Sequence, residues 1–104
     1  MSPLQRSMAL LREEGWLVEK VEYWNPWGKV RQDLFGILDL LCIHRKDGHT
    51  LGVQVTTMGQ RKPHLRKIHA SKNYPLLKQA GWMIQLHSWR KLKKTGWTIN
   101  LEKL

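Results

Sequence analysis

Ile37-Leu38-Asp39-Leu40-Leu41-Cys42-Ile43 is an almost unbroken apolar run, and no other stretch constrains the fold as much. A strand with one face in water alternates apolar and polar side chains. A run without alternation implies cover on both faces. It predicts a central strand in a sheet that needs a layer of structure on each side. The chain offers helices for those layers. Ser2 suits a helix cap, Pro3 the first helical position, and Gln5 completes a capping box. Leu4, Met8 and Leu11 then keep helical spacing, and Gly15 supplies the stop.

The remaining elements follow from local pattern. Trp16 to Trp24 is rich in Val, Tyr and Trp and predicts a strand, and Asn25-Pro26-Trp27-Gly28 predicts a turn. Asp47-Gly48 is a hairpin signal, with Leu51 to Thr57 returning as a third strand. A helix is expected over Arg61 to Lys72, with Leu65, Ile68 and Lys72 on one side. Pro75 interrupts it, and a shorter helix runs on to Ala80 and ends at Gly81. Trp82 to Trp89 predicts a fourth strand and Arg90 to Lys94 a basic loop. The alternation of Trp97, Ile99 and Leu101 predicts a last edge strand. Antiparallel strands followed by a crossover helix give an α/β fold, a mixed central sheet flanked by helices. The 104 residues suffice for one domain, residues 1–104, around one core.

Charge narrows the function. Eighteen Lys and Arg stand against eight Asp and Glu, a formal net charge of +10. That is the footprint expected of a phosphate-backbone binder, with a solvated basic surface or one meeting acidic lipid as the plainer readings. No apolar run is long enough to span a membrane, and the N-terminus lacks the apolar core of a signal peptide. The single cysteine, Cys42, lies inside the apolar run and excludes an internal disulfide framework. A reducing, cytoplasmic setting is expected. No two of the five histidines have metal-ligand helical spacing, and the glycines form no phosphate-cradling loop.

Asp39 is the anomaly of the central run. A carboxylate there costs several kcal/mol, to order of magnitude, unless it is paired or binds a cation. An ion pair and a metal site both satisfy that need. If Asp47-Gly48 closes a two-residue turn, cross-strand partners sum to 95, and Asp39 stands opposite Thr56 with Gln54 diagonal to it. All three side chains then share one face, with Asp39 and Gln54 about 7–8 Å apart. Each has an ordinary reading by itself, Thr56 as a strand former and Gln54 as a satisfied buried amide. Their convergence suggests a site.

These residues resemble a known family. Asp39 in an apolar strand, a hairpin, then Gln54-Val55-Thr56 before a basic helix looks like the PD-(D/E)XK nuclease fold. More closely, Arg31-Gln32-Asp33-Leu34-Phe35-Gly36-Ile37-Leu38-Asp39 and Gly52-Val53-Gln54-Val55-Thr56-Thr57 resemble small phage and bacterial proteins related to Holliday-junction resolvases. Arg66-Lys67-Ile68 and Trp89-Arg90-Lys91 look similar too. The resemblance implies a restriction-endonuclease-like α-β-β-β-α-β core and Mg²⁺- or Mn²⁺-dependent hydrolysis of DNA, with branched or structured DNA among the substrates, in a bacterial or phage-infected cell. It also implies a homodimer. Asp39 matches the family's central metal-binding aspartate. Gln54 falls where most members have Asp or Glu, and Thr56 where most have the catalytic lysine. Glu14 matches the glutamate often contributed by the first helix. The implied metal ligands are Asp39, Gln54, a backbone carbonyl near Val55, and Glu14.

Glutamine is a neutral oxygen ligand and weaker toward Mg²⁺ than a carboxylate, and threonine supplies no cation. A lysine reaching in from the following helix would replace the missing one. Lys67 is the first candidate and Lys62 the second, and plain phosphate contact is the alternative for both. Asp33 is either a further ligand or the partner of Arg31. Arg31, Arg61, Lys62, Arg66, Lys67, Arg90, Lys91, Lys93 and Lys94 are the candidate DNA contacts. Trp89 and Trp97 flank the last run and serve either as stacking surfaces or as core. A binding module of the same fold that has lost catalysis is the alternative function.

Overall fold

The capping box forms as its residues dictate: Gln5 N–H donates to Ser2 Oγ at 3.2 Å and Ser2 N–H to Gln5 Oε1 at 2.9 Å. It opens α1 (Pro3–Glu13) in a computed structural model that describes residues 1–104. The chain continues through β1 (Trp16–Lys20), β2 (Tyr23–Asn25), β3 (Val30–Gln32), β4 (Leu40–His44) and β5 (Thr50–Thr57). A 3-10 turn leads into α2 (Arg61–Ala70) and α3 (Asn73–Gln79), and β6 (Met83–Leu92) and β7 (Gly96–Lys103) finish it. Five strands form one sheet in the order β1-β4-β5-β6-β7, and β2 and β3 form a separate two-stranded ribbon. Only β5 and β6 run parallel, and α2 and α3 make the crossover between them. The expected α/β architecture with a mixed sheet is therefore present. No helix is long and apolar enough to cross a membrane.

The central apolar run divides its side chains between two cores. Leu40 and Cys42 join Leu11, Trp16, Val18, Leu51 and Val53 under α1. Ile37 and Leu38 join Ile68, Leu77, Ile84 and Leu86 under α2 and α3. Burying each of these side chains contributes on the order of 1.5–3 kcal/mol, which is why an unalternating run belongs at the centre of the sheet. Across the first core runs a polar chain. Trp89 Nε1–H donates to Ser7 Oγ (2.8 Å), Ser7 Oγ lies 2.8 Å from His87 Nδ1, and His87 Nε2 lies 2.9 Å from Gln85 Oε1. Trp89 is thus a core residue, not a stacking platform. Trp97 lies under the Arg6 guanidinium, 4.5 Å from the ring centre.

Four expectations need correction. The strand expected from Trp16 to Trp24 ends at Lys20, because the chain leaves the sheet after Val21, whose N–H still donates to Asp39 O (2.9 Å). Ile37 and Leu38 lie in a tight loop, not a strand. Phe35 (φ 54°) and Gly36 (φ 76°) turn the chain, and Leu34 and Leu38 exchange hydrogen bonds of 2.8 and 3.0 Å. The helix break comes at Ser71, whose Oγ accepts from Asn73 N–H (3.1 Å). Pro75 sits in the first turn of α3, where its missing N–H is no loss. Arg90 to Leu92 extend β6, so only residues 93–95 form the turn.

The register between β4 and β5 is also displaced. Leu40 pairs with Val53 and Ile43 with Thr50, so partners sum to 93. A two-residue hairpin turn at Asp47-Gly48, of type I′ or II′, would need positive φ at Asp47, and of the two only Gly48 has it, at 74°. The loop instead spans four residues, closed by His44 N–H to His49 O and Gly48 N–H to His44 O, each 2.9 Å. A displacement of two residues leaves every side chain on its expected face.

Candidate functional site

Asp39 immediately precedes β4, with its N–H donating to Val53 O of β5 (2.8 Å). Continuing the observed register sets it opposite Gln54 rather than Thr56, which becomes the diagonal neighbour. Gln54 Nε2 donates to Asp39 Oδ2 at 2.5 Å, and Val55 N–H donates to the same oxygen at 2.8 Å. No basic side chain pairs with Asp39, so the ion-pair reading of this buried acid fails. Two acids lie beside it instead. Ligand atoms of Glu22, Asp33 and Asp39 all fall within 4.8 Å of one another. Burial pushes the Asp39 carboxyl up to about 7; the Val55 N–H opposes the shift, and neighbouring Asp33 and Glu22 add to it.

The three acids, Gln54, Val55, Leu4 of α1 and His64 of α2 line one cleft of about 270 Å³ at the end of the sheet. Gln54 Oε1 is buried there without a hydrogen-bond partner. A divalent cation fits this donor set: three carboxylates with a spare amide oxygen make an oxygen-rich group of the kind hard cations take. The amide's fixed role as donor to Asp39 leaves Oε1 as the atom without an assignment.

The expected site residues divide plainly. Asp39 and Gln54 come together. Val55 enters through its N–H, whereas a carbonyl was expected. Lys67 reaches the cluster from α2, with Nζ 3.2 Å from Asp33 Oδ2. Asp33 therefore pairs with Lys67 and not with Arg31, which approaches Glu22 at 3.7 Å. Lys62 is exposed on α2. Glu14 does not join. It caps the C-terminal end of α1 next to Gly15, whose carbonyl accepts from Arg45 beyond the far end of β4. Five residues of strand, roughly 17 Å, separate that end from Asp39. Glu22 occupies the place expected for Glu14. An acid inside a strand-like run was the available signal, but Glu19 gives the same signal and is merely exposed on β1.

Among the expected DNA contacts, Arg61 is committed elsewhere: Nε and Nη2 donate to the two Glu102 carboxylate oxygens at 2.5 and 2.9 Å. Arg31, Lys62, Arg66, Lys67, Arg90, Lys91, Lys93 and Lys94 are exposed. Burial pushes the Cys42 thiol up to about 12, so it is no nucleophile. His64 was not among the expected residues. Its Nδ1 lies 2.8 Å from Gln60 O, an acceptor, so Nδ1–H donates there and Nε2 is the ring nitrogen without a partner. Comparison with known protein families, curated proteins and solved structures finds no match to this chain.

Proposed function

We propose that this protein is a metal-dependent DNA endonuclease with a restriction-endonuclease-like core, working inside the cell. The observation that carries the reading is a buried aspartate without a cationic partner. It is bonded across the strands to a glutamine whose own oxygen is unpartnered and is flanked by two further acids. The flanking acids have cationic neighbours, Lys67 at Asp33 (3.2 Å) and Lys20 and Arg31 at Glu22 (3.5 and 3.7 Å), whereas Asp39 has only neutral donors.

Asp39, Glu22, Asp33 and Gln54 Oε1 would hold Mg²⁺ or Mn²⁺. A bound divalent ion supplies a Lewis acid that polarises a phosphodiester and lowers the pKa of an attacking water. The chain's own groups do the rest. Gln54 and the Val55 N–H both hold Asp39 Oδ2 and so fix the carboxylate against rotation. Lys67, held by Asp33, stands in for the lysine absent at Thr56 and supplies positive charge beside the scissile phosphate. His64 offers Nε2 as a proton acceptor at the cleft wall. Lys62 and Arg66 on the same helix supply phosphate contacts.

Purified protein is expected to cut DNA with Mg²⁺ or Mn²⁺ and not with EDTA. Asp39→Ala is expected to abolish cutting while keeping the circular-dichroism spectrum and DNA affinity. Gln54 and Thr56, in place of carboxylate and lysine, favour one other reading: a DNA-binding module of this fold without catalysis. Binding at low salt with no cleavage under either metal would establish that reading and refute the first.

A further inference from the structure

We propose that the β2–β3 ribbon is a stacking arm for unpaired bases, so that the DNA bound here presents single strand beside the acidic cleft. The proposal rests on the nuclease reading only for what happens at the cleft, not for the contact itself. Trp27 at the ribbon's tip is 94% exposed, and Tyr23, Trp24 and Val30 are 57%, 56% and 49% exposed. Single exposed apolar residues are ordinary, but this ten-residue ribbon exposes four large ones, with Tyr23 and Val30 on one face, Trp24 on the other and Trp27 at the tip, so aromatic surface is open on both sides. The tip is held in shape. Asn25 Oδ1 accepts from the N–H groups of Trp27 (3.0 Å) and Gly28 (3.2 Å), and Pro26 restricts the backbone between them.

Register links the arm to the cleft. Trp24 pairs with Arg31 and Tyr23 with Gln32. Continued by one residue on each strand, the same register sets Glu22 opposite Asp33, on the face that bears Trp24 and Arg31. A base on Trp24 would therefore lie one two-residue repeat, roughly 7 Å, from the acidic cluster. A second, wider cleft of about 570 Å³ bears Tyr23, Arg31, Phe35 and Lys67 and meets the acidic cleft at Asp33, which lines both. Phe35 is held at φ 54°, a conformation bulky residues avoid, while Asn73 Nδ2 donates to its carbonyl at 3.0 Å.

Charge selects the occupant. Flat aromatic faces beside exposed Lys29 and Arg31 suit a polyanion with open π faces, which is single-stranded nucleic acid. A paired duplex hides its base faces in the stack. A second copy of this chain would bring another +10 of charge against a basic arm.

The test measures binding of the whole chain in EDTA, where catalysis is silent. The probes are a fully paired duplex, the same duplex with a central unpaired stretch containing 2-aminopurine, and vesicles rich in phosphatidylserine. Wild type is expected to prefer the unpaired probe by roughly tenfold and to change its 2-aminopurine fluorescence. Trp24→Ala and Trp27→Ala are each expected to reduce the preference several-fold with duplex affinity unchanged. Trp27→Phe, which keeps a stacking face, is expected to restore it, which rules out misfolding. Equal affinity for the two DNAs overturns the proposal, as does a preference that survives Trp24→Ala/Trp27→Ala. So does vesicle binding or self-association that vanishes in that double variant while DNA preference does not. Preference without metal-dependent cleavage leaves the arm standing and removes the nuclease; cleavage without preference does the reverse.

Discussion

Gln54 stands where a second carboxylate would crowd Asp39, and the metal-free protein uses its amide as the donor that makes the buried acid tolerable. Gln54→Glu removes that donor and adds a like charge. Loss of a charge-assisted hydrogen bond costs about 2 kcal/mol, roughly 10 °C in Tm for a domain of this size. A divalent cation would reverse the sign, since a carboxylate is the stronger ligand. Calorimetry of both proteins with EDTA and with Mn²⁺ is therefore expected to show the variant melting lower without metal and gaining more from it. Equal gains would mean that no cation binds between these strands. The Asp39–Gln54 pair was legible in the sequence because facing depends only on parity along a strand, and a register displaced by two residues preserves parity. Glu22 was not legible, because its place depends on where β1 leaves the sheet. Glu14 was misplaced for a related reason: a helical projection gives a face and not the end of the sheet that face covers.

Among the elements, β5 shows how closely the site depends on packing behind it. Gly52 faces Leu38, and a Cβ built there would lie 2.6 Å from Leu38 Cδ1 and 2.8 Å from Cδ2. Leu38 is fully buried among Ile37, Ile68 and Leu86, so it has little room to yield. It also immediately precedes Asp39. Gly52→Ala is expected to cost about 1–3 kcal/mol by overpacking. It should also lower metal-dependent cleavage, by shifting Asp39 against Gln54. Leu38→Ala added to Gly52→Ala is expected to recover part of the activity, read as a double-mutant cycle in urea unfolding and in cleavage. Additive effects would show that Leu38 and Gly52 do not couple. Helices and strands were legible here from period and caps. The loop at Phe35-Gly36 was not, because Ile37 and Leu38 continue the apolar run whether they lie in a strand or in a buried turn.

For the whole molecule, the charge balance and the two-sided sheet were legible because both follow from composition and from one unalternating run. The opposed titration of two buried groups, Asp39 and His87, on opposite faces of that sheet was not. Asp39 on the α2 side is pushed up from 3.8 to about 7, mainly by burial. His87 on the α1 side is pushed down from 6.5 to about 4, by burial. Their effects on stability oppose each other. Between 3.8 and 7 folded Asp39 keeps a proton that the unfolded chain releases, so its contribution is full below about 4 and lost as pH rises to 7. Between 4 and 6.5 the unfolded chain takes up a proton on His87 that the folded one refuses, so that contribution is full above 6.5 and lost as pH falls. In metal-free protein the two opposing slopes overlap between pH 4 and 6.5. Removing either one exposes the other. Asp39→Asn is expected to gain stability, relative to wild type, as pH rises through this window. His87→Gln, which can accept from Ser7 and donate to Gln85, is expected to lose it. Urea midpoints at several pH values between 4.5 and 6.5, in EDTA, read the difference, because carboxylates remote from both side chains contribute equally to all three proteins and drop out. Parallel pH profiles would mean that neither side chain is as deeply shielded from solvent as the two cores require.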